Sequence, residues 1–250
     1  MVDAAVPYLT VDEAAERLRV TPQTVYRWCR SGRLAATKIG KAWRIPADQL
    51  GRRAQLAGLR SLDTLLTGLN GQSEHLLVLA SDNLALARME ATFFDVAAAN
   101  GDRLVYGRWN EEAAIVRLRL RPALSRVGKG EDALHLPDLR SEYEKKGTEG
   151  PTRRLLREIE RAGADGARCH IYSSPYAYFA HNFDRCIEVE RGVEQQTRGQ
   201  AALVLCGYAL NDLFSLHGTR VLTLFMELAA CHTGVICFDG QQALLVRLSG

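Results

Sequence analysis

The 250-residue sequence has no apolar run near the roughly 18 residues that a bilayer-spanning helix requires, which excludes an integral helical membrane protein. Its six cysteines (29, 169, 186, 206, 231 and 237) form no C-x-x-C pair, so neither a zinc ribbon nor a thioredoxin-type motif is present. No G-x-x-x-x-G-K-[ST] and no G-x-G-x-x-G occurs, and lysine is scarce, five of 32 basic residues. A loop that cradles phosphates is therefore missing, and an ATPase is disfavoured. No G-x-S-x-G elbow marks a nucleophile. The adjacent Glu111 and Glu112 face different ways on a helix and cannot form an acid/base pair. No catalytic set, metal site or cofactor is read from the sequence, and the expected chain is not an enzyme. Met1 to Pro7 lacks the basic and apolar parts of a secretory signal, so a cytoplasmic chain with reduced thiols is expected.

What is present is an asymmetry of charge. Residues 1–60 carry eleven Lys/Arg against five Asp/Glu, a balance of +6; residues 61–250 carry 21 against 24, a balance of −3. A basic head on a mildly acidic body points to two domains, of which the head meets a polyanion.

In the head, Thr10-Val11-Asp12-Glu13 has the T-x-x-E form of a capping box. Ala14, Ala15 and Leu18 continue it as an apolar stripe. Thr21 and Pro22 then start a second helix running to Arg30, with Val25 and Trp28 turned inward, and Ser31-Gly32 ends it. Ala36 to Ile39, Gly40-Lys41 and Ala42 to Ile45 read as a tight hairpin, with Ile39, Trp43 and Ile45 inward and Lys38, Lys41 and Arg44 outward. Pro46 stops the strand, and Asp48 opens a third helix. This is a winged helix-turn-helix. From Tyr8 to Leu50 the sequence resembles the excisionase/MerR-like DNA-binding domain, carried by Leu9-Thr10-Val11, Glu13-Ala14-Ala15, Thr21-Pro22, Arg27-Trp28, Gly32-Arg33-Leu34, Lys38-Ile39-Gly40 and Trp43-Arg44-Ile45-Pro46.

The second helix offers Gln23, Thr24, Arg27 and Arg30 to base edges, glutamine suiting adenine and arginine suiting guanine. Thr21 and Tyr26 are expected on phosphates, and Lys38, Lys41 and Arg44 on the flanking backbone. Double-stranded DNA is the expected partner, bound by a homodimer because one small head reads only a few base pairs.

Residues 51–74 read as a partly helical linker in which Leu59, Leu62, Leu66 and Leu69 recur at helical spacing. This helix either pairs two protomers or packs on its own domain. From residue 75 to 250, short apolar runs (76–80, 103–106, 132–136, 168–172, 202–206, 235–238 and 243–246) alternate with helical segments, among them one long helix from about Tyr176 to Gln196. Such alternation implies a mostly parallel sheet covered on both faces.

His75, Phe93-Phe94, Asn100 to Tyr106, Tyr143, Leu203 to Tyr208 and His232 make this region resemble the MEDS sensory domain of regulators that respond to dichloromethane and related carbon sources. The resemblance implies a RecA/KaiC-like α/β fold that has lost its nucleotide-hydrolysing loop. A small apolar or aromatic effector is expected at the C-terminal strand ends, bordered by Tyr106, Tyr172 and Cys206, with Tyr176, Tyr178 and Phe179 as a wall. Cys206, Cys231, His232 and Cys237 lie near strand ends and could converge on a soft metal, although buried packing thiols are the plainer reading. The expected function is a bacterial DNA-binding transcription regulator with an α/β sensor. The alternatives are an enzyme with a DNA-targeting head acting on a nucleotide or metabolite, and a regulator that binds another protein.

Overall fold

The computed structural model describes residues 8–18, 20–30, 34, 36–40, 42–46, 59–126, 128, 130–217 and 220–248. The chain divides into two compact units, Met1–Leu59 and Arg60–Gly250. The segment from residue 60 to 74, read from sequence as linker, thus belongs to the second unit.

In the first unit, helix α1 (Val11–Leu18) starts in the expected capping box: the Thr10 amide donates to Glu13 Oε2 at 2.8 Å, and the Glu13 amide donates to Thr10 Oγ1 at 3.3 Å. Helix α2 (Pro22–Arg30) is capped by Thr21, whose Oγ1 accepts from the Thr24 amide at 3.3 Å. Strand β1 (Tyr8–Leu9), which the sequence did not announce, pairs antiparallel with β3 (Ala42–Pro46), and β3 pairs with β2 (Thr37–Ile39). Gly40 takes φ 62° in the turn between β2 and β3, a left-handed conformation that favours glycine. Leu9, Val11, Ala14, Ala15, Val25, Cys29, Leu34 and Ile45 form the core. Lys41 and Asp48 lie outside the described residues, as does the 31–32 helix stop.

One expectation about the hairpin is corrected. Ile39 pairs with Ala42, Lys38 with Trp43, and Thr37 with Arg44. Directly opposed residues share a face, so Ile39 lies with Arg44 and is 59% exposed. Lys38, expected beside Arg44, lies instead on the face of Trp43 and Ile45, where those two pack on the core and Lys38 itself stays exposed.

The second unit is built on an eight-stranded sheet. Its strands are β4 (Arg60–Ser61), β5 (Glu74–Ala80), β6 (Arg103–Gly107), β7 (Leu134–His135), β8 (Cys169–Ser173), β9 (Ala202–Ala209), β10 (Gly234–Phe238) and β11 (Gln242–Arg247), in the order β4-β11-β10-β5-β9-β8-β6-β7. From β10 to β7 every pair is parallel; β11 and β4 add antiparallel edges. This is the mixed α/β class, with the mostly parallel sheet that the alternation implied.

Both faces are covered, which is why the central strands are apolar throughout. On one face, Leu76, Val78, Leu203 and Leu205 pack under α3 (Leu62–Leu69), α4 (Asn83–Ala99) and α5 (Ala113–Arg126). On the other, Leu77, Leu79, Val204 and Cys206 pack under α7 (Glu149–Ala164), α9 (Phe183–Thr197) and α11 (Val221–Ala229). The leucines of α3, Leu62, Leu65, Leu66 and Leu69, are all buried in the first of these layers, which settles that helix as packing on its own domain. Among the described residues the unit also has α6 (Leu139–Lys146), α8 (Tyr176–Phe179), α10 (Leu210–His217) and a short 3-10 turn at Glu131–Ala133. The long helix expected from Tyr176 to Gln196 is therefore two, α8 and α9, broken at residues 180–182. No helix among the described residues is long and apolar enough to cross a membrane.

Candidate nucleic-acid interface and buried polar centre

Helix α2 divides its residues cleanly. Val25 and Cys29 enter the core, while Gln23, Tyr26, Arg27 and Arg30 are exposed and line one open groove of about 610 Å3. Spacings of three, four and seven residues stack these four on one face. The Thr21 and Thr24 hydroxyls lie 3.0 Å apart at the start of the helix, next to its unsatisfied amides. Lys38 is exposed on β2. Arg44 is half-buried and donates to the Trp43 carbonyl at 3.3 Å. The Glu13 carboxyl is held below its usual range, first by the Thr10 amide and hydroxyl, with Arg17 and Arg44 adding to the effect.

In the α/β unit, the six residues expected around one effector pocket do not come together. Tyr106 and Tyr172 are fully buried on the face under α4, their rings 5.5 Å apart and next to Phe94. Tyr176, Phe179 and Cys206 are buried on the opposite face, where half-buried Tyr178 stacks 5.6 Å from Trp109. The parallel sheet separates the two sets. Tyr106 is also committed internally: its hydroxyl donates to Glu111 at 2.6 Å and accepts from Arg119 at 2.9 Å. Tyr172 fills the space over Gly207, where a Cβ would overlap the phenol hydroxyl.

Ala80 and Ala209 are neighbours where β5 and β9 end, and Asn83 Nδ2 at the start of α4 donates to Asp212 Oδ2 in the first turn of α10 at 3.0 Å. A cavity between Trp109, Leu139, Pro175, Glu190 and Cys206 measures about 10 Å3, room for a single water. Asp82 caps α4 by accepting from the Ala85 amide at 2.8 Å. At the place where a phosphate loop would wrap an anion, the chain has put its own carboxylate.

The other notable chemistry is buried. His75 on β5, Cys206 on β9, Glu190 on α9 and His232, in the turn before β10, bring one ligand atom each within 4.8 Å of one another. His75 Nε2 lies 3.2 Å from Cys206 Sγ and 3.5 Å from Glu190 Oε2; His232 Nε2 lies 3.8 Å from the same Oε2. The two imidazoles are 4.1 Å apart between centroids. Glu190 Oε1 accepts from the Tyr208 hydroxyl at 2.5 Å, and that hydroxyl meets Cys186 Sγ at 3.3 Å.

Burial opposes a charge on His75, but the carboxylates of Glu190 and Glu194 outweigh it and raise its pKa. Burial would also raise Glu190; the hydrogen bond from His75, both imidazoles and Tyr208 outweigh that and hold it at about 2. His232 falls to about 4, chiefly through burial and then through the neighbouring His75.

Of the four residues named from sequence as converging, Cys206 and His232 belong to this centre. Cys237 is exposed on β10, and Cys231 is buried with its thiol donating to the Glu227 carbonyl at 3.3 Å. Sequence reading missed Glu190 and gave His75 no chemical role. The available signal was α9 itself: Cys186, Val189, Val193 and Thr197 mark its buried stripe, and Glu190 and Glu194 sit on that stripe.

Residues 8–53 match the family model described as a helix-turn-helix domain. No curated protein matches the sequence. Among solved structures, a protein from Pyrococcus horikoshii OT3, determined in a structural study, is 10% identical with a TM-score of 0.46, over 71% of this chain and 87% of the other. The ATPase domain of G40P is 8% identical with a TM-score of 0.45, over 66% of this chain and 69% of the other.

Proposed function

We propose that the protein is a cytoplasmic transcription regulator that binds duplex DNA through its first unit, with the α/β unit as its regulatory part. The observation that carries this is the row Gln23, Tyr26, Arg27 and Arg30, exposed along one face of a helix whose opposite face is locked in the core. Arg27 and Arg30 have the donors for guanine O6 and N7, and Gln23 has the donor and acceptor for adenine. Thr21, Tyr26 and Lys38 hold phosphates, and Thr24, expected on a base edge, joins them because it is half-buried with its hydroxyl 3.0 Å from that of Thr21 at the helix start. Lys41 and Arg44 are assigned to the flanking backbone on the sequence pattern. The excess of six positive charges in residues 1–60 favours the same partner.

The α/β unit is read as a non-catalytic, MEDS-like sensor of RecA/KaiC type. Asp82 at the head of α4 supports the absence of nucleotide chemistry, because its charge repels a phosphate there. The cavity under Trp109 holds only one water, so a small-molecule signal bound there would require the packing to open. The larger groove of the unit, about 600 Å3 along α7 and α9, is open and lined by polar residues such as Thr152, Arg153, Glu188 and Arg191. A second reading, in which this unit is regulated by a protein partner or by a second copy of the chain, is favoured by one observation. Leu222 and Met226, 68% and 67% exposed, follow one another on the outer face of α11.

Selection from a randomised duplex pool by the full-length chain tests the DNA reading. Recovery of a defined motif, lost when Arg27 and Arg30 are both replaced by alanine, supports it. Enrichment of no motif, or an unchanged motif with the double variant, contradicts it.

A further inference from the structure

We propose that His75, Glu190, Cys206 and His232 form a closed binding site for one divalent transition-metal ion of the zinc class. The inference does not depend on the DNA-binding reading, since it concerns the α/β unit alone.

Proton placement carries the first part of the argument. His75 Nδ1 lies 3.2 Å from Glu194 Oε2, and His232 Nδ1 lies 2.6 Å from the Leu228 carbonyl. A carboxylate and a carbonyl only accept, so both imidazoles carry a proton on Nδ1 and turn Nε2 inward. His232 Nε2, with its side chain wholly buried, has no hydrogen-bond partner and faces a carboxylate oxygen. An acceptor aimed at an acceptor in a dry interior is costly unless a cation stands between them. A proton on His75 Nε2 would satisfy Glu190, but it leaves His232 Nε2 without a donor.

The donor types and spacing carry the second part. Two imidazole nitrogens, a sulfur and a carboxylate oxygen form a four-ligand set suited to zinc. Tetrahedral coordination at zinc–ligand lengths of about 2.0–2.3 Å places neighbouring ligand atoms roughly 3.3–3.7 Å apart. All six pairs lie within 4.8 Å, and three of them, at 3.2, 3.5 and 3.8 Å, fall at or close to that range. The outer contacts are those that orient metal-bound groups: His75 on Glu194, which Arg198 holds at 2.8 Å, His232 on a backbone carbonyl, and Glu190 on Tyr208. Charge balances as well. A Cys206 thiolate and a Glu190 carboxylate neutralise one divalent ion, and the thiol proton, together with the Nε2 proton of His75 when that ring is charged, leaves for solvent as the metal enters.

The test uses the full-length chain, stripped with chelator and titrated with Zn²⁺ and with Co²⁺. The expected result is one equivalent bound, a rise in Tm with Zn²⁺, and a Co²⁺ complex showing tetrahedral visible bands with a thiolate-to-cobalt charge-transfer band. Cys206→Ser should abolish the charge-transfer band, His232→Gln should weaken binding at least tenfold, and Glu194→Gln should weaken it about 10- to 100-fold. Cys237→Ser, at an exposed thiol outside the cluster, should change nothing. Failure of the unsubstituted chain to bind either ion, or a charge-transfer band that survives in folded Cys206→Ser, overturns the assignment whatever the variants do to stability.

Discussion

The two units put their polar chemistry in opposite places. In the first, Gln23, Tyr26, Arg27 and Arg30 stand outside a core of mostly small side chains, and all belong to one helix. In the second, His75, Glu190, Cys206 and His232 are buried between the sheet and α9 and come from points up to 157 positions apart. A surface of the first kind suits a large polyanion that arrives from solvent. An interior of the second kind suits a small ion, and its position depends on the packing of the whole unit. The first can tolerate loosening elsewhere in the chain; the second cannot.

The largest expected effect breaks the α/β unit while sparing the head. In Gly207→Ala the new methyl meets the Tyr172 ring and Leu86, so these packed side chains must shift, and the unit should lose about 3 kcal/mol in chemical denaturation. DNA binding by the still-folded variant should be unchanged. Loss of DNA affinity in step with stability would mean that the contrast between the units is false.

Next in size is a pH effect confined to the same unit. Burial pushes Glu90 up to about 7, and Arg119 at 2.9 Å offsets only part of that. The unfolded chain releases this proton near the ordinary carboxylate value of 4.5, while the folded chain keeps it until about 7. The unfolded state thus holds fewer protons at this site across that window, and the Glu90 contribution to stability should fall as pH rises from 4.5 to 7, by on the order of 2–3 kcal/mol. It runs against the opposite slope from His232 and His170, whose lowered values make the folded state bind fewer protons there. Glu90→Gln should remove the Glu90 contribution, so that the variant gains stability relative to the unsubstituted chain as pH rises from 4.5 to 7 in denaturation measured at several pH values.

Smaller again is Thr10→Ala, which removes one side of the capping box on α1 and should cost the first unit about 1 kcal/mol. Two-wavelength melting that separates the units should show only the first transition moving. The smallest effect belongs to Lys38→Ala, which should weaken binding to specific and random DNA alike and lower the salt slope by about one.

The same contrast explains what could be read in advance. Thr10 with Glu13, Thr21 before Pro22, and Gly40 in a two-residue turn are local signals, and the structure places each where its chemistry requires. Ile39 was misplaced because hairpin faces depend on which residue opposes which, and one position of slip inverts the face. In the α/β unit, strands announced themselves as apolar runs, but α6 buries only Leu139 within an otherwise polar helix and leaves almost no periodic trace. Phe179 and Phe183, four apart, carry an apolar rhythm straight across the break between α8 and α9. The six-residue pocket failed on a single point of geometry: strand ends that are near in sequence logic lie on opposite faces of the sheet. Glu190 was invisible because a glutamate in a helix is ordinarily on the outside, and only the burial of its neighbours betrays it.

The most direct test of the central claim, that the exposed row on α2 reads DNA, is the affinity of Arg27→Ala for selected and for random duplexes at matched salt. The account predicts a loss of about 1–3 kcal/mol on the selected site, relaxed preference at one base pair, and a much smaller change on random DNA. Equal losses on both, or no loss on the selected site, would contradict it.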